Sequence, residues 1–425
     1  MELNRTIAPE IRKPEQIRFQ VPKPKLLSND IPVYLIREGA QDVFRMELVF
    51  QAGRRHDNRF IVSQAVPPLL KEGSRMLDAE SMAKALDKYG LNVQASANPD
   101  VSSIRLHGMS KYIQQALPLI SEMVRNPAFS KKEVANYLVQ QEKKLEQKLD
   151  KNQFLSSRQL LKDLYGNNHP LGFHPEPGDY QKISVSDLKS FHKTHYHAGS
   201  CTIFLSGKPP EDVLDMLEDH LGINPFPKKT APEDHVWQID ESSEKVVDIK
   251  RKDKVQTAIS IGKRCIPRGH VEFPEFSIVN TILGGYFGSR LMKNIREEKG
   301  YTYGIYSAIA SYRSASYFYI ETECDKSYKD DVLKEISYEI DRLKNELVSD
   351  EELDMVRNYM TGKLLSQVDG PFNRSNLLKG LLLHDLDDNY LQRVLKTIAN
   401  IGPERVREIA NKYLDVDQMH QVTVG

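Results

Sequence analysis

The sequence predicts an α+β protein of two homologous halves, each a roll with helices on one face of an antiparallel-rich sheet. Two internal matches, and the mixing of short strands with helices inside each half, carry this expectation. Ile183-Ser184-Val185-Ser186-Asp187-Leu188, running on to Ser206-Gly207, is repeated by Ile401-Gly402-Pro403-Glu404-Arg405-Val406, running on to Val424-Gly425, at an offset of 218 residues. Each copy reads as a capped helix followed by a strand that ends in glycine. Phe129-Ser130-Lys131-Lys132-Glu133-Val134 likewise matches Val348-Ser349-Asp350-Glu351-Glu352-Leu353 at an offset of 219. In both, serine is a good N-cap and the glutamate three residues on completes a capping-box pattern.

The elements follow in order. Strands are expected at 32–36 and 45–51, and helices near 61–71, 78–89, 111–124 and 130–149 form the helical layer of the first half. Residues 225–244 read as a linker because Pro225-Phe226-Pro227-Lys228-Lys229-Thr230-Ala231-Pro232-Glu233-Asp234 is polar and proline-rich. The halves are then 1–224 and 245–425, and the second repeats the pattern with strands at 256–262 and 316–322 and a helix at 332–343.

Bulk properties exclude several classes. The chain has 425 residues, with 59 basic and 59 acidic side chains, so no global field favours nucleic acid or a membrane surface. No apolar run approaches the roughly 18 residues of a membrane span. The start, Met1-Glu2-Leu3-Asn4-Arg5-Thr6, lacks the layout of a secretory signal, so a bacterial-type cytoplasmic location is expected. Cys201, Cys265 and Cys324 are scattered and odd in number, and read as buried free thiols.

The most informative stretch is Gly284-Gly285-Tyr286-Phe287-Gly288-Ser289-Arg290-Leu291, continuing to Arg296-Glu297-Glu298-Lys299-Gly300-Tyr301-Thr302-Tyr303-Gly304. It reads as a helix that ends in a glycine turn and hands over to a strand. Arg296 and Tyr303 stand at the two ends of that corner, where a guanidinium fork and a phenol can donate hydrogen bonds to a peptide carbonyl or its oxyanion.

This segment resembles the C-terminal-domain signature of the pitrilysin/insulinase-like family of inverted-motif zinc peptidases, and the resemblance extends over almost the whole chain. It implies two rolls facing each other across a central cavity, with the matching arginine and tyrosine gripping the substrate backbone. It also implies His-x-x-Glu-His on the first main helix of the first half, with a third ligand from a later glutamate. Counting back from Gly73, the motif positions fall on Gln64, Pro67 and Pro68, and the third ligand falls near Lys144, with Glu142 and Glu146 beside it. None of the first three is a usual zinc ligand, an ammonium at Lys144 would repel a cation, and consecutive prolines should distort a helix. His192-x-x-His195-x-His197 is the nearest rival metal pattern, but its place at a helix end entering a strand favours packing. His169 and His174 read as loop residues.

The resemblance therefore implies a zinc-less, non-catalytic subunit without a cofactor of its own. Its homologous partner would carry His-x-x-Glu-His and the zinc, and Arg296 and Tyr303 would hold a peptide or unfolded polypeptide for it. A homodimer in isolation also fits. The alternatives are a peptidase-derived scaffold or peptide-binding protein without a proteolytic role, and an unaided peptidase with an unrecognised metal site.

Overall fold

The computed structural model describes residues 14, 16–17, 19–223, 235–313 and 315–425. The linker expected at 225–244 lies outside the described residues as far as Asp234. Strands β1 (Lys25–Leu26), β2 (Pro32–Arg37), β3 (Val43–Phe50), β4 (Asn92–Ala97), β5 (Ser102–Met109) and β6 (Cys201–Gly207) form one sheet in the order β1-β2-β6-β3-β5-β4. A second sheet, in the order β7-β11-β8-β10-β9, comprises β7 (Val246–Ile249), β8 (Gln256–Arg264), β9 (Thr302–Ser311), β10 (Ser316–Asp325) and β11 (His420–Val424). Each sheet has one parallel pair, β2 with β6 and β7 with β11, and its remaining pairs within the shared order are antiparallel. The duplication seen in the sequence is thus a duplication of topology.

The first half supplies helices α1 (Val62–Leu70), α2 (Ala79–Lys88), α3 (Ile113–Arg125), α4 (Lys131–Leu149), α5 (Asn152–Tyr165), α6 (Val185–His195) and the short α7 (Val213–Leu217). The second supplies α8 (Phe273–Asn280), α9 (Lys329–Asn345), α10 (Asp350–Ser366), α11 (Gly370–Leu383), α12 (Tyr390–Asn400) and α13 (Pro403–Tyr413). The caps are those the sequence encodes. Ser130 Oγ accepts from Glu133 N, Ser349 Oγ accepts from Glu352 N, and Ser184 with Asp187 closes a reciprocal capping box.

Alternate residues of β3 (Phe44, Met46, Leu48 and Phe50) are fully buried against the first half's own helices. The opposite face was not expected to be covered by helices, but it is, and the cover is exchanged between halves. Helix α11 of the second half packs on β2 and β6, while α5 of the first half packs on β8 and β11, and these helices are themselves 218 residues apart. Leu160, Leu164 and Tyr165 of α5 join Val422 and Val424 in one apolar cluster. Ser156 Oγ lies 2.9 Å from Ser260 Oγ, and Ser157 Oγ donates to Glu321 at 2.6 Å.

On the first sheet the exchanged contact is ionic. Glu47 is 1% exposed, with Lys379 of α11 at 2.7 Å and its cross-strand neighbour Arg105 at 3.3 Å. Arg45 beside it donates to the Phe372 carbonyl and lies over the Phe372 ring, while Arg374 pairs with Glu38. Burial works to raise the Glu47 carboxyl, but Lys379 and Arg105 outweigh it and hold it below 4.5. A depressed carboxylate stabilises the fold above its unfolded value and loses that contribution as the pH falls through the folded one. Urea midpoints are therefore expected to hold from neutral pH down to about 4.5 and then fall, and a midpoint that rises below pH 4.5 would contradict this arrangement.

Candidate functional site

The first candidate region is built on α1. Ser63 N donates to Asp57 Oδ2 at 2.7 Å, so a buried aspartate before the helix serves its first turn. Pro67 and Pro68 lie inside α1, yet the helix continues to Leu70. Prolines at these positions cannot donate to the carbonyls four residues back, Ser63 and Gln64. The Gln64 carbonyl instead accepts from the Tyr137 hydroxyl of α4 at 3.3 Å. The helix thus continues through both prolines, and a tertiary donor replaces the amide missing at the Gln64 carbonyl.

A guanidinium occupies the surroundings of the motif positions. With the Gln64 amide oxygen turned toward it, Arg54 donates from Nε at 3.0 Å and also from Nη2. Arg54 Nη1 donates to the Pro170 carbonyl at 2.8 Å and approaches that of Phe173 at 3.4 Å. Burial lowers the Arg54 pKa, opposed by Tyr312, Tyr180 and Asp57, and an arginine keeps its charge through such a shift. Burial, with help from Arg54 and Arg158, pushes His174 down to about 3, so its imidazole is neutral. His169 is pushed down to about 4, mainly by burial, and stacks on Tyr165 at 4.7 Å. Both histidines are therefore packed inside their loop.

Lys144 stands on the exposed face of α4 and does not reach this region. The inward-facing position is Glu142, two residues earlier, whose Oε1 accepts from Gly178 N at 2.7 Å and whose charge helps to raise Tyr180. The count from the sequence was thus out of register with the helix face. Among the described residues no group of three or more His, Cys, Asp or Glu side chains could hold a metal ion. An amide bound to a guanidinium, two prolines and a single carboxylate do not fit a zinc ion, which takes imidazole, thiolate or carboxylate from three or four protein side chains.

The histidine trio at the end of α6 packs. His192 Nε2 lies 2.8 Å from the Val124 carbonyl, and its ring stacks on Tyr196 at 5.0 Å. His195 sits 4.4 Å from the Phe191 ring and, chiefly through burial, is pushed down to about 4.

Arg54 and Tyr137 were missed as members of this region. Arg54 follows Gly53 at the end of a strand, and nothing local in the sequence distinguishes it from a surface arginine. Replacing it with leucine strands two backbone carbonyls and the Gln64 amide, at a cost of about 2–3 kcal/mol. A chemical-denaturation midpoint of Arg54→Leu equal to that of the parent would contradict this role.

The second candidate region lies at the start of β9, the edge strand of its sheet. Leading into it, Met292–Glu298 is wound as a π-helix, Gly300 turns with a φ of 68°, and β9 begins at Thr302. Strand register pairs Ile305 with Thr322 and Thr302 with Cys324, so Tyr303 and Gly304 together oppose the single Glu323. This is a β-bulge, a device that re-aims a side chain. Thr302 Oγ1 pins it, accepting from Gly304 N at 3.1 Å and lying 2.9 Å from Thr322 Oγ1.

Arg296 Nε donates to the Tyr303 carbonyl at 3.0 Å, and its guanidinium sits 4.8 Å from the Phe287 ring. Tyr303 is 93% exposed and Phe287 is 64% exposed. The structure therefore brings Arg296 and Tyr303 together, but through the tyrosine's backbone, which the sequence did not indicate. Arg290 of the same motif forks onto Glu352 with two bonds of 2.9 Å, tying the corner to α10.

These two regions do not converge within the chain. The far end of the β9–β10 hairpin meets the first half, where Arg313 N donates to Asp100 Oδ2 at 3.1 Å and Tyr312 interacts with Arg54. Tyr303 lies nine residues away along the strand, about 30 Å at ordinary strand rise.

Two rolls of one topology, a motif helix without metal ligands and a bulged edge strand presenting a tyrosine define a peptidase-type scaffold of two halves. The chain belongs to the M16, insulinase-type peptidase family. The family model "Insulinase (Peptidase family M16)" matches residues 33–172, and "Peptidase M16 inactive domain" matches 182–360. The chain is 23% identical over 354 residues to an uncharacterized zinc protease of Mycobacterium tuberculosis, covering 81% of this chain and 80% of that one. It is 22% identical over 374 residues to the non-peptidase homolog YmxG of Helicobacter pylori, covering 85% and 84%. A solved peptidase M16 inactive domain from Pseudomonas fluorescens superimposes with a TM-score of 0.85 at 25% identity, covering 95% of this chain and 97% of that one. The chain is an M16 peptidase-like protein of the inactive type. Among the described residues no helix is long and apolar enough to cross a membrane.

Proposed function

We propose that this chain is the non-catalytic subunit of a heterodimeric metallopeptidase, holding peptide substrate through Tyr303 and Arg296 for a homologous partner that carries His-x-x-Glu-His and the zinc. The observation that carries the reading is the outward projection of Tyr303 on a bulge fixed from behind by Arg296, far along the strand from its own chain's motif helix. Arg54 and the two prolines leave no place for a water-activating metal in the first half, so any chemistry comes from the partner. Tyr303 Oη–H would donate to the oxyanion that develops on the scissile carbonyl. One of the five N–H groups of Arg296 is spent on the Tyr303 carbonyl, and the others can reach a substrate carbonyl. Edge strands β4 and β9 leave main-chain groups to which an extended or unfolded polypeptide can add.

Co-purification with a His-x-x-Glu-His homologue should raise peptide hydrolysis above that of the homologue alone, and no gain would sink the proposal. A second reading, a peptidase-derived scaffold without proteolytic role, is favoured by the same Arg296–Tyr303 bond, which has a structural use of its own. Peptide binding that disappears in Tyr303→Ala supports the subunit reading. Binding that is absent, or indifferent to Tyr303, supports the scaffold.

A further inference from the structure

An open groove of 430 Å³ runs along the second half, between the edge strand β9 and helices α10 and α12. We propose that it holds an extended stretch of the peptide and selects a bulky apolar side chain about six residues from the one at Tyr303. The inference rests on the subunit reading above and names the kind of peptide that site would take.

The groove exists because the helical cover of the sheet runs out along β9. Ile305 and Ile309 point to the same face, yet Ile305 is 2% exposed while Ile309 is half-buried. At one end the turn Thr281–Gly285 sits directly on the strand: Gly284 leaves no room for a Cβ against Ser307, and Ser307 Oγ donates to the Asn280 carbonyl at 3.2 Å. Helix α10 packs on α12 and on that turn. Tyr359, Met360 and Leu364 of α10, with Leu391 and Val394 of α12, form the far wall. The floor hydroxyls are already engaged, Ser277 Oγ with the Phe273 carbonyl and Thr281 Oγ1 with the Ser277 carbonyl, each at 2.8 Å. The groove therefore presents apolar surface. Arg268 and Lys363 bring positive charge to it, and among the described residues no acidic side chain lines it.

Two observations make polypeptide the occupant. Among the described residues no main-chain group of 305–311 bonds to main chain outside the β9–β10 pair. One wall is thus a row of unpaired N–H and C=O groups, which a second extended chain matches and a lipid does not. The groove is also continuous with the Tyr303 corner. Tyr359 stacks on Tyr286 at 5.0 Å, and the next residue, Phe287, lies 4.8 Å from the Arg296 guanidinium. A chain added to β9 sends alternate side chains into the groove and onto the opposite face, where Tyr303 and Tyr306 stand exposed. From Tyr303 to Ile309 the strand covers about 20 Å, which sets the spacing of about six residues.

The purified chain is titrated with fluorescein-labelled peptides of alternating threonine and serine, about twelve residues long, that carry one guest residue near an end. Anisotropy should show saturable binding, with leucine and phenylalanine guests roughly tenfold or more tighter than alanine, and lysine weakest. Tyr359→Glu, and separately Val394→Glu, should erase the preference for leucine over alanine, and circular dichroism checks that both fold. A photoactivatable leucine as guest should label β9, α10 or α12 of the parent chain, and Val139→Glu, an exposed position on α4, should change nothing. Weaker binding of every guest to Tyr303→Ala, with the leucine preference kept, supports both the groove and the subunit reading. A leucine preference indifferent to Tyr303 supports the groove and removes that reading. Tyr303-dependent binding without guest preference, or labelling elsewhere, overturns the groove and leaves that reading standing. Saturable binding of no peptide overturns both. Laurate that displaces the leucine peptide and binds more tightly than it does marks a lipid site and overturns the groove proposal.

Discussion

Tyr303→Phe, assayed with the zinc-bearing partner, is expected to lower the turnover of the pair by roughly a hundredfold or more. The substitution removes one hydroxyl and keeps the ring. Because the bulge is pinned by Thr302, Thr322 and Arg296 Nε, none of which touches the phenol, the backbone should not shift. The loss should appear mainly in kcat, since a donor aimed at a developing oxyanion acts in the transition state more than in the bound substrate. Arg296→Ala should be at least as damaging for a mixed reason: it removes donors and also frees the Tyr303 carbonyl. Comparing kcat and KM for the two variants separates donation from positioning. A Tyr303→Phe pair with parental kcat would show that the phenol is only a surface residue.

Lys379→Met is expected to destabilise the fold by about 3–5 kcal/mol, the usual cost of stranding a buried charge. Glu47 would keep Arg105 at 3.3 Å but lose its closest partner, which reaches it from the other half. The stranded carboxyl should then take up a proton more readily, so the variant's stability should fall less steeply than the parent's below pH 4.5. Glu47→Gln with Lys379→Met should recover part of the loss, because an amide tolerates burial better than an unpaired carboxylate. Urea titrations at neutral and acid pH measure both effects, and a single variant as stable as the parent would remove the ionic clasp from the account.

Local signals in the sequence foretold the local structure. The serine caps at 130, 184 and 349 mark helices that begin there, and α1 to α4 lie at the positions expected near 61–71, 78–89, 111–124 and 130–149. The 218-residue repeat anticipated one topology used twice. What escaped was tertiary. Nothing within 152–165 or 370–383 tells a reader that each helix crosses to the other sheet, since a two-sided apolar pattern names no partner. The prolines at 67 and 68 argued for a broken helix, yet it runs on to Leu70, and the donor that replaces the amide at the Gln64 carbonyl comes from Tyr137, 70 residues on. Register over such a distance cannot be counted from one glycine, so Lys144 was named where Glu142 faces inward. Arg296 and Tyr303 were recognisable as a pair, but the bond between them, and the bulge that turns the ring outward, depend on strand pairing.

The most direct test is the zinc content of this chain, purified alone, incubated with excess zinc and desalted. With Arg54, Gln64, Pro67 and Pro68 where ligands would have to stand, the expected result is far less than one zinc per chain and no peptide hydrolysis. One zinc retained per chain, lost on substituting a residue of the α1 region, would contradict the account.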